Sequence, residues 1–438
     1  MAPAAWIGRL TGDHVGFALA SLEFIAFGAA SAALVVVVAR RLGAGWRAAT
    51  AGGLFYAAWF LSVRAEYVSR LEPLGNFLLL CGLVGYVGIG GRRSTRSAVL
   101  CGAGLGAAAS VKIWYVVPLA VVLCFLLARR LPREAGRALL GAVASVVLIC
   151  GPFFALAPSS MWRMVVSEQL GRGQANPFRA LVLLERLPSG LSWQTAYLLD
   201  AVLVIAVAVL VAVAWRAPVV RLPTALLLAG VGLLIAAPSW FLFYADYLTP
   251  AAALCVATGA AALAVARREA NWAGVRASAV AGALVVALAL VGTANALWYR
   301  PGKTSAALPA TDLASAVTNM RCVTSDSPMA LIGLNVLDRN LANGCPSWVD
   351  VTGRSYASDM NVVGQDGRPV PRLDNPRWQR ALRAYLLSGD AVIIMRAKDA
   401  GIGSATWDAI RGGDVLARDG TRVIYGGQDR GSLHPVRS

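Results

Sequence analysis

Two arginines and two carboxylates stand close together between two apolar segments of this sequence, in the stretch from Arg64 to Asn76. Arginine is scarce on the outer side of a membrane, where the topology given below places this stretch. Charge beside the apolar phase is costly and therefore more often serves chemistry than anchoring. In the alternative interpretation, Arg64 pairs with Glu66 and Arg70 pairs with Glu72, and the two ion pairs only fix a short loop.

Further polar side chains are expected at the same outer membrane surface: Lys112, Gln169, Arg172, Tyr244, Asp246 and Tyr247. Arginine and lysine bind phosphate groups well, and a carboxylate can take a proton from an attacking hydroxyl. Cations and carboxylates at one depth suit a substrate that has a phosphate head and an apolar tail. We therefore predict that these residues, together with Arg64 and Arg70, form a substrate-binding site.

Other kinds of catalytic site are not visible in the sequence. It has no glycine-rich phosphate loop, HExxH motif, Cys/His metal cluster or nucleophile elbow. His14 and His434 are the only histidines, so a histidine-based acid/base or metal site is not expected. We predict no metal ligands.

Composition places the chain in the membrane. Of its 438 residues, 58% are hydrophobic and 14% are charged, whereas soluble domains carry roughly 25% charged residues. The net charge of +17 comes mostly from arginines that punctuate apolar segments. Anchoring at the cytoplasmic side explains these arginines, so nucleic acid is not a predicted partner and the lipid bilayer is.

Ten spans can be read from apolar length, since a helix needs about 20 apolar residues to cross a bilayer. Lys112 interrupts one long apolar stretch together with Trp114, Tyr115 and Pro118, which predicts a turn at the interface. We predict a polytopic α-helical membrane protein with spans at about 17–39, 47–63, 73–90, 97–111, 113–128, 138–157, 195–215, 222–242, 247–266 and 277–297.

The arginine-rich connectors orient these spans. Placing all of them in the cytoplasm puts 64–72, the Lys112 turn, 158–193 and 242–247 outside, in a plasma (inner) membrane protein. Residue 1 then also lies outside, although residues 1–16 lack the basic region and apolar core of a signal peptide. We expect a further span upstream of residue 1; the alternative is that the short N-terminus is translocated unaided.

The composition becomes more polar from about residue 299, which predicts a membrane domain over 1–298 and an extracytoplasmic α/β domain over 299–438. Cys322 and Cys345 are the only cysteines in the second domain, which predicts one disulfide. Turn and helix-start signals there predict an Asp419-Gly420 hairpin, strands at Val323–Leu334, Ser347–Val351, Ala391–Met395 and Arg422–Tyr425, and helices at Asn375–Leu387 and Ser404–Ile410.

Four stretches resemble motifs of the GT-C superfamily of membrane glycosyltransferases. Ser69–Pro73 is similar to its Ser-Arg-x-Asp motif, with Glu in place of Asp, and Gly102–Lys112 is similar to its glycine-rich hairpin that ends in Lys. Ser167–Arg172 resembles an outer-loop Gln-x-x-Arg motif, and Phe243–Pro250 resembles a late Tyr-x-x-Tyr-x-x-Pro motif. The likeness is strongest to protein O-mannosyltransferases, aminoarabinose transferases and actinobacterial mannosyl- and arabinosyltransferases.

The resemblance implies inverting transfer of a sugar, with mannose or arabinose as candidates, from a polyprenyl-phosphate donor to a glycan, lipid or protein acceptor of the cell envelope. It implies that Arg70, Lys112 and Arg172 contact the donor phosphate and that Glu72 is the catalytic carboxylate, which either positions the acceptor or a metal ion or acts as the base. The family's main catalytic acid precedes the first span visible here; it lies upstream of residue 1, or this form is inactive. No cofactor is predicted, and a divalent cation stays open.

Two other classes remain open from the sequence. A flippase or transporter of a lipid-linked sugar requires a hydrophilic path at mid-membrane, which the predicted spans do not show. A non-catalytic scaffold of the cell envelope predicts that the outer polar residues do not converge in space.

Overall fold

The computed structural model describes residues 2–67, 70–89, 94–162, 165–166, 217–237, 242–269 and 311–427, the last with short gaps at 349, 357, 361, 365–369, 396–400 and 420–421. The described residues fall into two compact units. We call one the helical unit, which draws on Ser21–Met161 and Gln174–Tyr299. We call the other the sheet unit, which draws on Met1–Ala20, Trp162–Gly173 and Arg300–Ser438.

Apolar helices make up the helical unit. Among the described helices, α2, α8 and α10 are long and apolar enough to cross a membrane. The helices in or entering this unit are α2 (Asp13–Arg41), α3 (Trp46–Ala58), α4 (Phe60–Tyr67), α5 (Glu72–Tyr86), α6 (Ser94–Val111), α7 (Val116–Ala128), α8 (Pro132–Leu156), α9 (Pro158–Trp162), α10 (Pro218–Ala236) and α11 (Thr249–Glu269).

Eight of the predicted spans have described helices at the expected positions, and 195–215 and 277–297 lie outside the described residues. Within the predicted span 47–63, Trp59 has an extended conformation (φ −70°, ψ 124°) that separates α3 from α4. The predicted split at Lys112 is confirmed. Lys112 is extended (φ −154°, ψ 125°) and precedes the 3-10 helix Ile113–Tyr115, after which α7 begins.

Glycines let α6 lie directly against α8. A Cβ atom at Gly102 would meet the carbonyl oxygen of Ala138 at 1.7 Å, and one at Gly106 would meet that of Ala142 at 2.4 Å. Small residues spaced four apart allow such close backbone approach between helices in a membrane. This packing fixes α6, the helix whose end presents Lys112.

A mixed four-stranded sheet organises the sheet unit. Its strands are β1 (Val323–Ser325), β2 (Ala391–Ile394), β3 (Val415–Asp419) and β4 (Arg422–Gly426), in the order β1-β2-β4-β3. β1 is parallel to β2, and the other neighbours are antiparallel. The described helices of this unit are α1 (Ala2–Thr11), the start of α2, α12 (Thr311–Ser315), α13 (Pro328–Gly333), α14 (Leu337–Ala342), α15 (Pro376–Leu386) and α16 (Ser404–Arg411).

Most of the predicted elements of the C-terminal domain are confirmed. β2, β4, α15 and α16 lie where the sequence predicts them, and the side chain of Asn375 caps α15 by accepting from the backbone N–H groups of Arg377 and Trp378. β3 pairs with β4 across the predicted hairpin, with Asp419 opposite Arg422.

Two strand predictions were wrong. The strand expected over 323–334 stops at Ser325, because Pro328 has no N–H for a sheet and starts α13 instead. The described residues of 347–351 form no strand. The Asn340 side chain occupies the free edge of β1: it accepts from Val323 N (3.1 Å) and donates to Val323 O (2.6 Å), as a neighbouring strand would do.

Two links tie α14 into the sheet unit. Cys322 and Cys345 are joined by the disulfide that their position in the sequence predicts. The carboxylate of Asp13 accepts hydrogen bonds from Leu337 N (2.8 Å) and Asp338 N (3.2 Å), while Asp13 N donates to the side chain of Asn335. The N-terminus of α14 is therefore capped by a residue from the start of α2.

Candidate active site

An ion pair between Glu72 and Lys112 forms the centre of the polar residues in the helical unit. Lys112 Nζ donates to Glu72 Oε1 at 2.6 Å, and the two side chains are 17% and 3% exposed. Glu72 is the first residue of α5, while Lys112 stands at the break between α6 and α7. Two separate interruptions of the apolar helices thus bring opposite charges together where little water reaches them.

Aromatic rings surround the Lys112 ammonium group. Its Nζ lies 4.2 Å from the centre of the Trp114 ring and 3.8 Å from that of Tyr244. Tyr247 packs edge-on against Tyr115 at 5.0 Å, and its hydroxyl donates to Trp114 O (3.1 Å). Aromatic faces stabilise a cation without accepting its protons, so Lys112 keeps donors for a second anion.

Asn76 connects four elements behind this pair. The residue is completely buried one turn after Glu72. Its amide nitrogen lies within hydrogen-bonding distance of Tyr56 Oη (3.3 Å) and of both the carbonyl (3.1 Å) and the carboxylate (3.2 Å) of Asp246, and its oxygen accepts from Tyr115 Oη (2.8 Å). A buried hydrogen-bond network of this kind fixes the relative positions of its members.

Asp246 lies in the 3-10 helix Leu242–Leu248 and is completely buried. Besides Asn76, its carboxylate accepts from Ser62 Oγ (2.6 Å) and Thr249 Oγ1 (2.9 Å). Burial raises the pKa of Asp246 from 3.8 to about 7, although these hydroxyl groups oppose the rise. Burial also lowers the pKa of Lys112, an effect that the Glu72 carboxylate opposes.

Glu66 is a further carboxyl group beside this network. Its side chain lies against Gly28 of α2, where a Cβ atom would meet Glu66 Oε1 at 1.9 Å. It interacts electrostatically with Asp246 and with Tyr56. Burial in the first place, and then the Asp246 charge, raise the pKa of Glu66 from 4.5 to about 8.

Most of the described residues of the predicted site converge. Glu72, Lys112, Tyr244, Asp246 and Tyr247 belong to one connected group, and Arg70 is close enough to Lys112 to repel its charge. Arg64 and Arg70 are half-buried. The remaining two predicted residues, Gln169 and Arg172, lie outside the described part of the chain.

Four members of the group are not predicted as site residues from the sequence: Asn76, Tyr115, Ser62 and Thr249. Glu66 is predicted only as one of the charges of the stretch from Arg64 to Asn76. Asn76 carries a usable signal, because an amide one turn after Glu72 in an otherwise apolar helix needs buried partners. Ser62 and Thr249 carry none, since short hydroxyl side chains are common in membrane helices and bond to their own backbone. Among the described residues, no three His, Cys, Asp or Glu side chains are grouped as metal ligands would be.

The fold and this group of residues define a class: a membrane protein of apolar helices, with a charged, aromatic-lined cluster at the helix breaks and an appended sheet region. Two solved structures share the fold, both of ArnT from Cupriavidus metallidurans. The structure bound to undecaprenyl phosphate matches with a TM-score of 0.55 and 16% identity, over 94% of this chain and 84% of that one. The apo structure matches with a TM-score of 0.55 and 15% identity, over 92% and 83%.

These matches show that the chain shares the fold of ArnT, which agrees with the predicted resemblance to aminoarabinose transferases. No family model matches the sequence, and no curated protein matches it. The chain therefore has an ArnT-like fold. The likeness does not identify its donor, its acceptor or its catalytic residues.

Proposed function

We propose that this protein is a GT-C glycosyltransferase that moves a sugar from a polyprenyl-phosphate donor to an acceptor of the cell envelope. The observation that carries the proposal is the buried Glu72–Lys112 pair at 2.6 Å, enclosed by Trp114 and Tyr244, in an ArnT-like fold. One of the two ArnT structures contains undecaprenyl phosphate. A lipid phosphate of that kind has the anionic head and apolar tail that this site suits.

Lys112 is the proposed ligand of the donor phosphate. Glu72 holds its ammonium group in place, and the aromatic rings leave it able to donate to a second anion. When the bond between the sugar and the phosphate breaks, negative charge accumulates on the departing phosphate. Lys112 and Arg70 would stabilise that charge, which is the electrostatic contribution that usually dominates such catalysis.

The other predicted residues receive supporting roles in this proposal. Tyr244 and Tyr247 form part of the wall around Lys112, and Asp246 holds that wall through Asn76. Arg64, Gln169 and Arg172 are proposed to contact the donor or the acceptor from the outer surface. Glu72 contributes to catalysis through Lys112.

The proposed location is the outer face of the plasma (inner) membrane, with the sheet unit outside the cell. The disulfide between Cys322 and Cys345 supports it, since such bonds persist in oxidising compartments. In whole cells, a membrane-impermeant maleimide should label these cysteines only after reduction by an impermeant phosphine. Labelling without reduction, or only after cell lysis, contradicts this placement.

The sugar is proposed to be mannose or arabinose, and the acceptor a glycan, lipid or protein of the envelope. Membranes containing the protein should release undecaprenyl phosphate from its mannose-linked or arabinose-linked form while transferring the labelled sugar. Lys112→Ala should abolish this transfer, and Lys112→Arg should retain part of it because the charge remains. Gly136→Ala, a change facing open space on α8, serves as the matched control.

The two other classes give different results in the same experiment. Transport of the lipid-linked sugar across sealed vesicles without cleavage favours a flippase. Neither cleavage nor transport, with correctly folded protein, favours a scaffold. A scaffold function predicts that the charged residues are dispersed. The described charged residues instead converge on Lys112, which favours an enzyme.

A further inference from the structure

Inverting transfer requires a base for the acceptor's proton, and the described part of the site contains three candidate carboxylates: Glu72, Asp246 and Glu66. Each has a different environment. Those environments decide which of the three can act as the general base. This inference rests on the function proposed above.

Glu72 is engaged. One of its oxygens accepts a charge-assisted hydrogen bond of 2.6 Å from Lys112, and its side chain is 3% exposed. A carboxylate held this way stabilises the neighbouring cation, and taking up a proton would break that pair. Glu72 therefore suits positioning of Lys112 better than proton uptake.

Asp246 is inaccessible. The residue has no exposed surface, and its carboxylate accepts from Ser62, Thr249 and Asn76. An incoming hydroxyl group would have to displace one of these buried donors. Asp246 therefore suits a positioning role within the network.

The Glu66 carboxyl group differs from the other two in its hydrogen bonding and its exposure. It lies one helical turn after Ser62 on α4, so both side chains lie on one face of the helix. None of the described residues donates a hydrogen bond to its carboxyl group, and the residue is half-buried. Its carboxyl group is thus held beside the network without being saturated by it.

The surroundings of Glu66 favour a proton acceptor. Among the described residues, Tyr56 from α3 and Asp246 from the 3-10 helix interact with it electrostatically, and α2 contributes Gly28, which has no side chain. Burial and the Asp246 charge hold the pKa of Glu66 at about 8. A base is most effective when its pKa is near the working pH.

We propose that Glu66 is the general base of the transfer reaction. Its carboxylate takes the proton of the acceptor hydroxyl as that oxygen bonds to C1 of the sugar. The bond between C1 and the phosphate oxygen breaks, and its electron pair leaves with the polyprenyl phosphate, next to Lys112. Gly28 makes room for the carboxylate, and the nearby negative charge of Asp246 raises its affinity for the proton.

The test compares Glu66→Gln, Glu66→Asp and the wild type in release of undecaprenyl phosphate from its mannose-linked and arabinose-linked forms. Removing a general base typically lowers kcat by a factor of about 100 or more. Glu66→Gln should show that loss, with binding of undecaprenyl phosphate unchanged. Azide is a nucleophile that has no proton to lose, so Glu66→Gln should transfer the sugar to azide at the same rate as the wild type.

The pH profile gives a readout that a merely structural role would not move. Wild-type kcat should rise with pH, with its midpoint near pH 8, and level off above that, following ionisation of Glu66. Glu66→Asp should keep the rising limb at a displaced midpoint, and Glu66→Gln should lose it. Unchanged kcat and an unchanged profile in Glu66→Gln overturn the proposal.

Gly28→Ala provides a second variant that keeps the carboxyl group but moves it, because the added methyl group would overlap Glu66 Oε1. Its kcat should fall while undecaprenyl phosphate still binds, and Gly136→Ala should behave as wild type. An inactive Lys112→Ala beside a fully active Glu66→Gln contradicts only the role of Glu66. A wild type that neither cleaves the donors nor binds undecaprenyl phosphate contradicts the proposed function as well.

Discussion

The ammonium group of Lys112 donates to the carboxylate of Glu72 across 2.6 Å, and the two residues are 40 positions apart in the sequence. Each side chain stands where a helix starts or stops, so the pair joins the start of α5 to the break after α6. Both charges are shielded from water, so each compensates the burial of the other. Removing one of them would leave the other buried without a partner charge.

Removing one charge should cost more stability than removing both. Lys112→Met leaves Glu72 buried without its cation and should lower the free energy of unfolding by about 3–5 kcal/mol. Lys112→Met combined with Glu72→Gln should recover most of that loss but not the binding of undecaprenyl phosphate. Thermal unfolding and lipid binding in detergent separate the two effects. A double variant that is as unstable as Lys112→Met, or that binds the lipid normally, contradicts this account.

Asn76 should tolerate neither an apolar nor an acidic replacement. Asn76→Ala leaves the buried Tyr115 hydroxyl and the Asp246 carboxylate each short of a partner, at about 1–3 kcal/mol per unpaired group. Asn76→Asp places a second carboxylate beside Asp246 and should be worse as the pH rises. Ser110→Ala, whose hydroxyl bonds only within its own helix, should be nearly neutral. Thermal unfolding at pH 6 and pH 8 checks the order; an Asn76→Asp variant as stable as wild type at pH 8 contradicts it.

Asp246 should make stability depend on pH. The folded protein keeps the Asp246 proton up to about pH 7, whereas an unfolded aspartate loses it near 3.8. The folded state therefore binds more protons in this window, and the free energy of unfolding should fall as pH rises from about 4 to about 7. Glu66 extends the decline to about pH 8.

Asp246→Asn should flatten this decline, which unfolding measurements at half-unit pH steps can detect. Asp359→Asn, at a residue of the sheet unit whose side chain is 49% exposed, is the control and should leave the slope unchanged. Equal slopes in the wild type and in Asp246→Asn mean that Asp246 is already ionised throughout the window.

A methyl group at Gly102 should force α6 away from α8, because it would lie 1.7 Å from the carbonyl oxygen of Ala138. Gly102→Ala should lower stability and, because α6 ends at Lys112, weaken binding of undecaprenyl phosphate. Gly136→Ala has space around it and should be neutral or slightly stabilising, by about 1 kcal/mol or less. The two alanine variants differ only in location, so similar unfolding temperatures would refute the packing argument.

The sequence predicts the elements of this protein better than their mutual contacts. Apolar length locates the described helices, and Lys112 with Pro118 correctly indicates a break, because charge and proline both interrupt apolar helices. Trp59 gives no such signal, although its extended conformation separates α3 from α4. Likewise, Asn340 takes the place of a neighbouring strand at the free edge of β1, a contact that no local pattern predicts.

The same limit applies to the site. Arginine and lysine outside the cell run against the positive-inside rule and point to the stretch from Arg64 to Asn76 and to Lys112, and the aromatic motif points to Tyr244 and Tyr247. The sequence marks Glu66 as one of the charges of that stretch, but only the structure places its carboxyl group against Gly28, 38 positions earlier in the sequence. A glycine in an apolar helix is too common to indicate which side chain will fill the space beside it.

The cap that Asp13 places on α14 bears on how modular the sheet unit is. Its two hydrogen bonds to Leu337 and Asp338 cross more than 300 positions of sequence, so the final third of the chain depends on its first residues. A fragment excised at residue 299 would carry an α14 whose first N–H groups lack that carboxylate. To be stable as a separate fragment, this domain would need residues 1–20 added back or a new N-terminal cap designed into the turn before Leu337.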